Sequence, residues 1–236
     1  MKGKDPIGQA ILEFAATGIS EDILVESDVI DDDVIPSHLL LRSIDEMPEV
    51  EQIAIQRAKG NILDVGAGAG IHASELIKRG HTVKAIDISQ GAVEHMISQG
   101  IDAECVEFLS IPDDNKYSTV FMMMNGIGIS GTLDGLKQVL KKADSLLLED
   151  GILIIDSTDI KYIYAEEDGS FWVDLNGSYY GEVKFRMSYK NNVSDWFNWL
   201  YIDQELLKEI THSVGFETNI IYEDDGHFLA ELKRIG

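Results

Sequence analysis

From residue 61 onward, short apolar runs alternate with stretches in which apolar residues return every three or four positions. The runs Ile62–Val65, Thr82–Asp87, Asp102–Val106, Thr119–Met124 and Ile152–Asp156 read as strands. The stretches near 71–80, 89–99 and 133–148 read as helices. Such alternation predicts an α/β fold, a parallel sheet with helices on both faces. In sheets of that kind ligands sit at the carboxyl ends of the strands, where strand order reverses. A helix near 203–214 and strands near 216–222 and 227–233 return to the same pattern near the end of the sequence.

The flanking regions differ. Ile7, Ala10, Ile11, Phe14 and Ala15 repeat at helical spacing, and seven carboxylates follow between Glu21 and Asp33. "MPEVEQIAIQRAKG" then marks a helix: Pro48 suits its first turn, Glu49 and Glu51 follow, Arg57 and Lys59 close it, and Gly60 stops it. Residues 1–60 are therefore expected to form an N-terminal helical cover. Residues 160–202 hold 12 of the 19 aromatic residues, and Val183, Phe185, Met187 and Tyr189 alternate with polar neighbours. With the hairpin signal Asn176-Gly177, that predicts an antiparallel β insertion after the fifth strand. The whole chain, 1–236, reads as a single domain, with 61–159 as its core and 203–236 as a C-terminal helix and strand pair.

Composition narrows the partners. The 236 residues carry 42 acids against 19 bases, a net charge of −23, with no basic cluster. A nucleic-acid binder would show a basic face, so no nucleic acid and no anionic membrane surface is expected. One cysteine, Cys105, allows no internal disulfide and fits a reducing, cytoplasmic setting. No CxxC pair exists, no metal site is expected, and no signal peptide or membrane span is read.

The chemistry concentrates in "ILDVGAGAG", residues 62–70. Gly66, Gly68 and Gly70 let a ligand approach backbone and let the chain turn tightly into a helix. Asp87 ends the next strand about 20 residues later, where a ribose diol would be held. Dinucleotides and S-adenosylmethionine both suit this geometry, and glycine spacing alone does not separate them. Asp64 does: a carboxylate repels a pyrophosphate but suits an ammonium and a sulfonium. No Lys or Arg between Ile62 and Leu76 offsets it.

With these residues, the acid of "VKAIDIS", "VEFLSIPDDNKYSTVFMMMNGIG" and "LEDGILIID", the sequence resembles the class I S-adenosylmethionine-dependent methyltransferases, and small bacterial members in particular. The resemblance covers roughly residues 50–159, and the tail 203–233 suits the family's last helix and strands. It implies a Rossmann-like, mostly parallel seven-stranded sheet with its last strand antiparallel. It also implies that Asp64, Gly66, Ala67 and Gly68 line the methionine part of the cofactor. Asp87 would take the ribose hydroxyls, Ile88, Glu107 and Phe108 would flank the adenine, and Asn125 would lie near the transferable methyl. Ser118 departs from the family, which commonly has an acid before the fourth strand.

Methyl transfer from a sulfonium is an in-line displacement, so alignment matters most, and a base is needed only if the acceptor must lose a proton. No base is identified; His38 and His72 are candidates at helix starts. Arg42 is the candidate for the cofactor's carboxylate, by elimination among five arginines, with a surface ion pair to Asp45 or Glu46 as the alternative. The aromatic insertion either closes the acceptor pocket or simply fills a packed sheet. The expected activity is methyl transfer to a small-molecule acceptor. A nicotinamide-dependent oxidoreductase and a non-catalytic cofactor-binding module are the alternatives.

Overall fold

The computed structural model describes residues 4–164 and 177–236. The chain opens with α1 (Pro6–Thr17), capped by the Asp5 carboxylate, which accepts the Gly8 amide. Two strands follow, β1 (Ile23–Ser27) and β2 (Asp33–Ile35), and then α2 (Glu49–Arg57). The central units are β3 (Asn61–Val65), α3 (Ile71–Lys78), β4 (Thr82–Asp87), α4 (Gln90–Ser98), β5 (Asp102–Cys105), β6 (Tyr117–Met122), α5 (Leu133–Leu146) and β7 (Leu147–Thr158). The chain continues through β8 (Glu182–Tyr189), β9 (Asn192–Val193), β10 (Phe197–Leu200), α6 (Gln204–Ser213), β11 (Phe216–Asp224) and β12 (His227–Arg234).

Seven strands form the main sheet in the order β11-β12-β7-β6-β3-β4-β5. Strands β3 to β7 pair in parallel, and β12 runs antiparallel between β7 and β11. The fold is the α/β one that the alternating pattern predicts, with the Rossmann-like seven-stranded sheet and antiparallel last strand that the resemblance implies. Strand order reverses between β3 and β6, so the carboxyl ends of those two strands flank the crevice where ligands bind in such sheets. Apolar cores cover both faces: Leu63, Val120, Leu153 and Ala230 lie in one, and Ile62, Phe121, Ile154 and Leu229 in the other. Side chains alternate along a strand, so this assignment also fixes which face each strand-end polar residue occupies.

The N-terminal cover is not all helical. The acidic stretch supplies β1 and β2, which join β8, β9 and β10 in a second, antiparallel sheet. Strand β1 pairs with β8 across the length of the chain, with Glu26 opposite Arg186. The Arg186 guanidinium grips Glu26 with two nitrogens and lies 5.0 Å over the Trp196 ring. Of the seven carboxylates of this segment, Glu26 and Asp33 are strand residues, and Glu26 is paired across the sheet. The antiparallel character of the insertion stands. Asn176 of its hairpin signal lies outside the described residues, as do Phe171 and Trp172. Phe185, Phe197, Trp199 and Tyr201 pack against one another and on Val183 and Ile160, so these aromatics fill the sheet.

The second sheet adjoins the crevice. A Cβ on Gly128, in the turn after β6, would collide with the Trp199 indole, and one on Gly131 would press on Asn198. Helix α1 lies between this sheet and the glycine loop, where Ile11 packs with Ala69 and Ala92. Among the described residues, no helix is long and apolar enough to cross a membrane.

Candidate functional site

The glycine loop leaves β3 with Gly66, Gly68 and Gly70 all at positive φ (68°, 55° and 78°). A Cβ on Gly66 or Gly68 would meet no atom within 4 Å, so backbone there faces open space. Gly70 is different: its Cβ would strike Met96 and Ile101, and packing against α4 accounts for that glycine. The loop is tied to β4, since the Gly66 and Ala67 amides donate to the Ile86 carbonyl at 2.9 and 3.0 Å.

Asp64 projects from the end of β3 and is only 2% exposed. Its Oδ2 has no hydrogen-bond partner. Burial pushes its carboxyl up to about 6; the His72 charge and the Ala73 amide pull it down, and Asp87 pushes it up further. A buried carboxylate oxygen without a donor is costly, and it calls for a cation or a strong donor from outside the chain.

Asp87 ends β4 and holds the loop in place. One oxygen accepts the Gly68 amide and the other the Ser89 amide, each at 2.8 Å. Burial raises its proton affinity, against the Ser89 and Gly68 amides that favour the carboxylate. Ile88, next in sequence, is 75% exposed. The Val106 amide donates to the Asp87 carbonyl at 3.0 Å, which brings exposed Glu107 beside this strand end. Phe108 turns inward and joins the core with Ile86 and Val65. Its place is beneath the surface rather than on it.

Arg42 is buried, and its partner is Glu51 of α2, not Asp45 or Glu46. The guanidinium also donates to the Leu39 carbonyl and lies 3.6 Å from the Met124 sulfur. Its Nε has no partner. The second Glu51 oxygen lies 2.7 Å from His72 Nε2, and the His72 ring meets Phe121 edge-on at 5.7 Å. Burial raises the Glu51 proton affinity, but His72 and Arg42 outweigh it and hold the carboxyl below its usual range. All five arginines pair with an acid, so pairing alone does not distinguish them. Arg42 is the buried one, and it retains a free donor. His38 is exposed on the short turn that precedes Arg42.

At the end of β6, Met124 and Asn125 both adopt positive φ (64° and 55°). That conformation is costly for side-chain-bearing residues and persists only where neighbours enforce it. It also ends the strand at Met122, short of the expected Met124. Asp156 enforces it by accepting the Asn125 amide at 2.8 Å, while Thr158 donates to the Asn125 side chain at 3.0 Å. The other Asp156 oxygen lies 2.8 Å from His227 Nε2.

The strand period places these groups together. Asp64, Asp156 and His227 each lie two residues from Ile62, Ile154 and Leu229, so all three project from the face that carries Phe121. The structure therefore gathers Arg42, Asp64, Gly66, Ala67, Gly68, Asp87, Ile88, Glu107 and Asn125 along one edge of the sheet. Glu51, Asp156 and His227 join them without having been singled out. Glu51 could have been seen as a glutamate on the apolar face set by Met47, Val50, Ala54 and Ile55. Asp156 ends an apolar run just as Asp64 and Asp87 do.

The arrangement pairs an unsatisfied buried acceptor, Asp64 Oδ2, with an unsatisfied buried donor, Arg42 Nε. Together they suit a zwitterion and disfavour a pyrophosphate, which would meet Asp64, Asp87 and Glu51. Among the described residues, no group of three or more His, Cys, Asp or Glu side chains could hold a metal ion. A cleft of about 400 Å³ lies at the opposite, amino-terminal edge, lined by Lys59, Ser118, Glu149 and Asp150 among others. None of the residues above lines it, and it faces away from the strand ends that bind ligands in such sheets.

Residues 62–151 match the family model described as a methyltransferase domain. No curated protein matches the chain. Among solved structures, the chain is similar to an S-adenosylmethionine-dependent methyltransferase from Bacteroides fragilis, solved in complex with S-adenosyl-L-homocysteine. The two are 39% identical with a TM-score of 0.94, over 100% of this chain and 97% of that one. The CcbJ methyltransferase from Streptomyces caelestis shares the fold at 13% identity and a TM-score of 0.62, over 81% of this chain and 94% of that one. A sugar N-methyltransferase from a Streptoalloteichus species does so at 13% identity and 0.58, over 89% and 98%.

Proposed function

The chain belongs to the S-adenosylmethionine-dependent methyltransferases, and on that premise we propose that it methylates a small molecule, with Asp64 and Arg42 holding the two ends of the cofactor's amino-acid group. S-adenosylmethionine is the cofactor, and it supplies an activated methyl on a sulfonium. The observation that carries the assignment is that, of three buried side-chain polar atoms without partners among the described residues, one is the Ser20 hydroxyl and the two in charged groups are Asp64 Oδ2 and Arg42 Nε. An ammonium satisfies the first and a carboxylate the second, and the family's cofactor carries both.

In this reading the open backbone at Gly66, Ala67 and Gly68 lies against the methionine part. Asp87 accepts the ribose hydroxyls with lone pairs left free by its two amide bonds, while exposed Ile88 and Glu107 border the adenine. Asn125 stands near the methyl, fixed by Asp156 and Thr158. Gly70 and Phe108 act from behind, through packing. Alignment of this kind contributes roughly 7–11 kcal/mol in favourable systems. The acidic surface argues against a nucleic-acid acceptor, and the lone cysteine fits work in the cytoplasm.

Calorimetry tests the cofactor site. S-adenosylhomocysteine should bind, and at 100 times its Kd it should stabilise the fold by about 2.7 kcal/mol. Tight NAD binding without S-adenosylhomocysteine binding would overturn the assignment. Incubation of labelled S-adenosylmethionine with cell extract tests the acceptor class. Only when the protein is added, label should appear in a filtrate species other than S-adenosylmethionine and its breakdown products; protein-dependent label confined to protein or RNA would contradict it.

A further inference from the structure

Besides His72, which is buried against Glu51, a second histidine stands at the carboxyl edge beside the residues assigned to the cofactor. His227 opens β12 opposite Thr158, on the sheet face shared with Asp64. Its Nε2 lies 2.8 Å from Asp156 Oδ2, and Asp156 is buried. The other Asp156 oxygen holds the Asn125 amide, so this carboxylate is fixed by two neighbours at once. A carboxylate only accepts, so in the neutral ring Nε2 carries the hydrogen and Nδ1 keeps a free lone pair. Among the described residues, Asp156 is the hydrogen-bond partner of this ring. The side chain is 32% exposed, so a small molecule can reach it.

We propose that His227 is the catalytic base of methyl transfer and that Asp156 is its positioning residue. The inference rests on the methyltransferase reading and adds that the acceptor carries a dissociable proton, on oxygen or nitrogen. As the acceptor atom bonds to the methyl carbon, the electron pair of the sulfur–carbon bond stays on sulfur, leaving a neutral thioether. The acceptor's proton passes to His227 Nδ1. The resulting imidazolium sits against the Asp156 carboxylate and releases its proton to solvent when the product leaves. The charged groups facing His227 are Asp156 on β7, Glu51 on α2 and Asp224 on β11, all acidic. The Asp156 hydrogen bond, above all, raises the histidine's proton affinity against the opposing effect of burial. A sulfonium bound nearby would lower it again, so the base would be freed when the methyl donor is present.

Imidazole NMR on the full chain tests this, with His227→Gln assigning the signals. S-adenosylmethionine and S-adenosylhomocysteine are the probes, because they differ by one methyl and one positive charge. The neutral ring should be the Nε2–H tautomer. Its titration midpoint should be lower with S-adenosylmethionine than with S-adenosylhomocysteine by about half a pH unit or more, as a unit charge within several ångströms requires. Asp156→Asn should lower the midpoint and mix the tautomers, as loss of that hydrogen bond requires. Equal midpoints with both ligands bound, or an Nδ1–H tautomer, would overturn the role of His227 and leave the cofactor site standing. Failure of either ligand to bind would instead bring down the cofactor reading and this inference with it.

Discussion

The two ends of the main sheet are built from the same strands and differ in how their polar groups are satisfied. At the amino end, the Thr119 hydroxyl donates to the Lys59 carbonyl at 2.9 Å and accepts the Lys59 amide at 3.0 Å. Asn61 donates to the Lys116 carbonyl, and the Lys59 ammonium to that of Asp150. Local partners close this end. At the carboxyl end, Asp64, Glu51, Arg42 and Asp156 are all buried, two buried polar atoms lack partners, and two consecutive side-chain-bearing residues adopt positive φ. Raising the Asp64 carboxyl to about 6 corresponds to about 3 kcal/mol of lost charge stabilisation above that pH. Folding alone has no use for such a group. The comparison teaches that the carboxyl end leaves buried polar groups open, as the proposed cofactor site requires, while the amino end satisfies its own.

The comparison breaks most visibly if the buried cluster is dispensable. Arg42→Ala leaves Glu51 buried with His72 as its remaining partner and should cost about 3–5 kcal/mol in urea unfolding. A loss below about 1 kcal/mol, the scale of a surface pair, would show that this end is held like the other. Next in size, Asp87→Ala should weaken S-adenosylhomocysteine binding by roughly 1.5–3 kcal/mol, the scale for bonds to a charged group. Part of the damage should also appear as lost stability, because the same carboxylate holds the Gly68 and Ser89 amides. An unchanged Kd would remove Asp87 from the site.

Smaller again is the pH dependence of the His227–Asp156 pair. The histidine's proton affinity is raised in the fold, so its stabilisation is complete below its ordinary range. It is lost as pH rises through the raised folded value. Unfolding measured across that window should show this slope in the wild type and not in His227→Gln; identical slopes would dissolve the pair. Smallest is the amino end. Lys59→Ala should leave S-adenosylhomocysteine affinity within about 0.5 kcal/mol of wild type, as for a surface change away from a site. A larger effect would mean that the cleft there takes part in binding.

Legibility in the sequence follows the range of the interactions. Strands β3 to β7 and their helices are written in local periodicity, and Thr82–Asp87 coincides with β4 residue for residue. Asp64 and Asp87 are legible because each closes an apolar run beside glycines or a helix start. The second sheet is legible only in part: the alternation from Val183 to Tyr189 gives β8, but β1 finds its partner in β8 far along the chain and shows its own edge only as acids around three apolar residues. Arg42 could be picked out by elimination, but its partner Glu51 depends on how α2 packs. His227 sits at a turn with no local signal, and its meaning comes from Asp156, 71 residues away.

The most direct test of the central claim is the pH dependence of S-adenosylhomocysteine binding, measured by calorimetry on the wild type and on Asp64→Asn. With its carboxyl raised to about 6, free Asp64 holds a proton at lower pH that an incoming ammonium must displace. Affinity in the wild type should therefore be flat above about pH 7 and fall below about pH 6 by up to about tenfold per pH unit, with a proton released on binding. Asp64→Asn should bind more weakly at neutral pH and lose that slope. A wild-type affinity that stays constant through this range, or a slope that survives in Asp64→Asn, would contradict the assignment of Asp64 to the cofactor's cation.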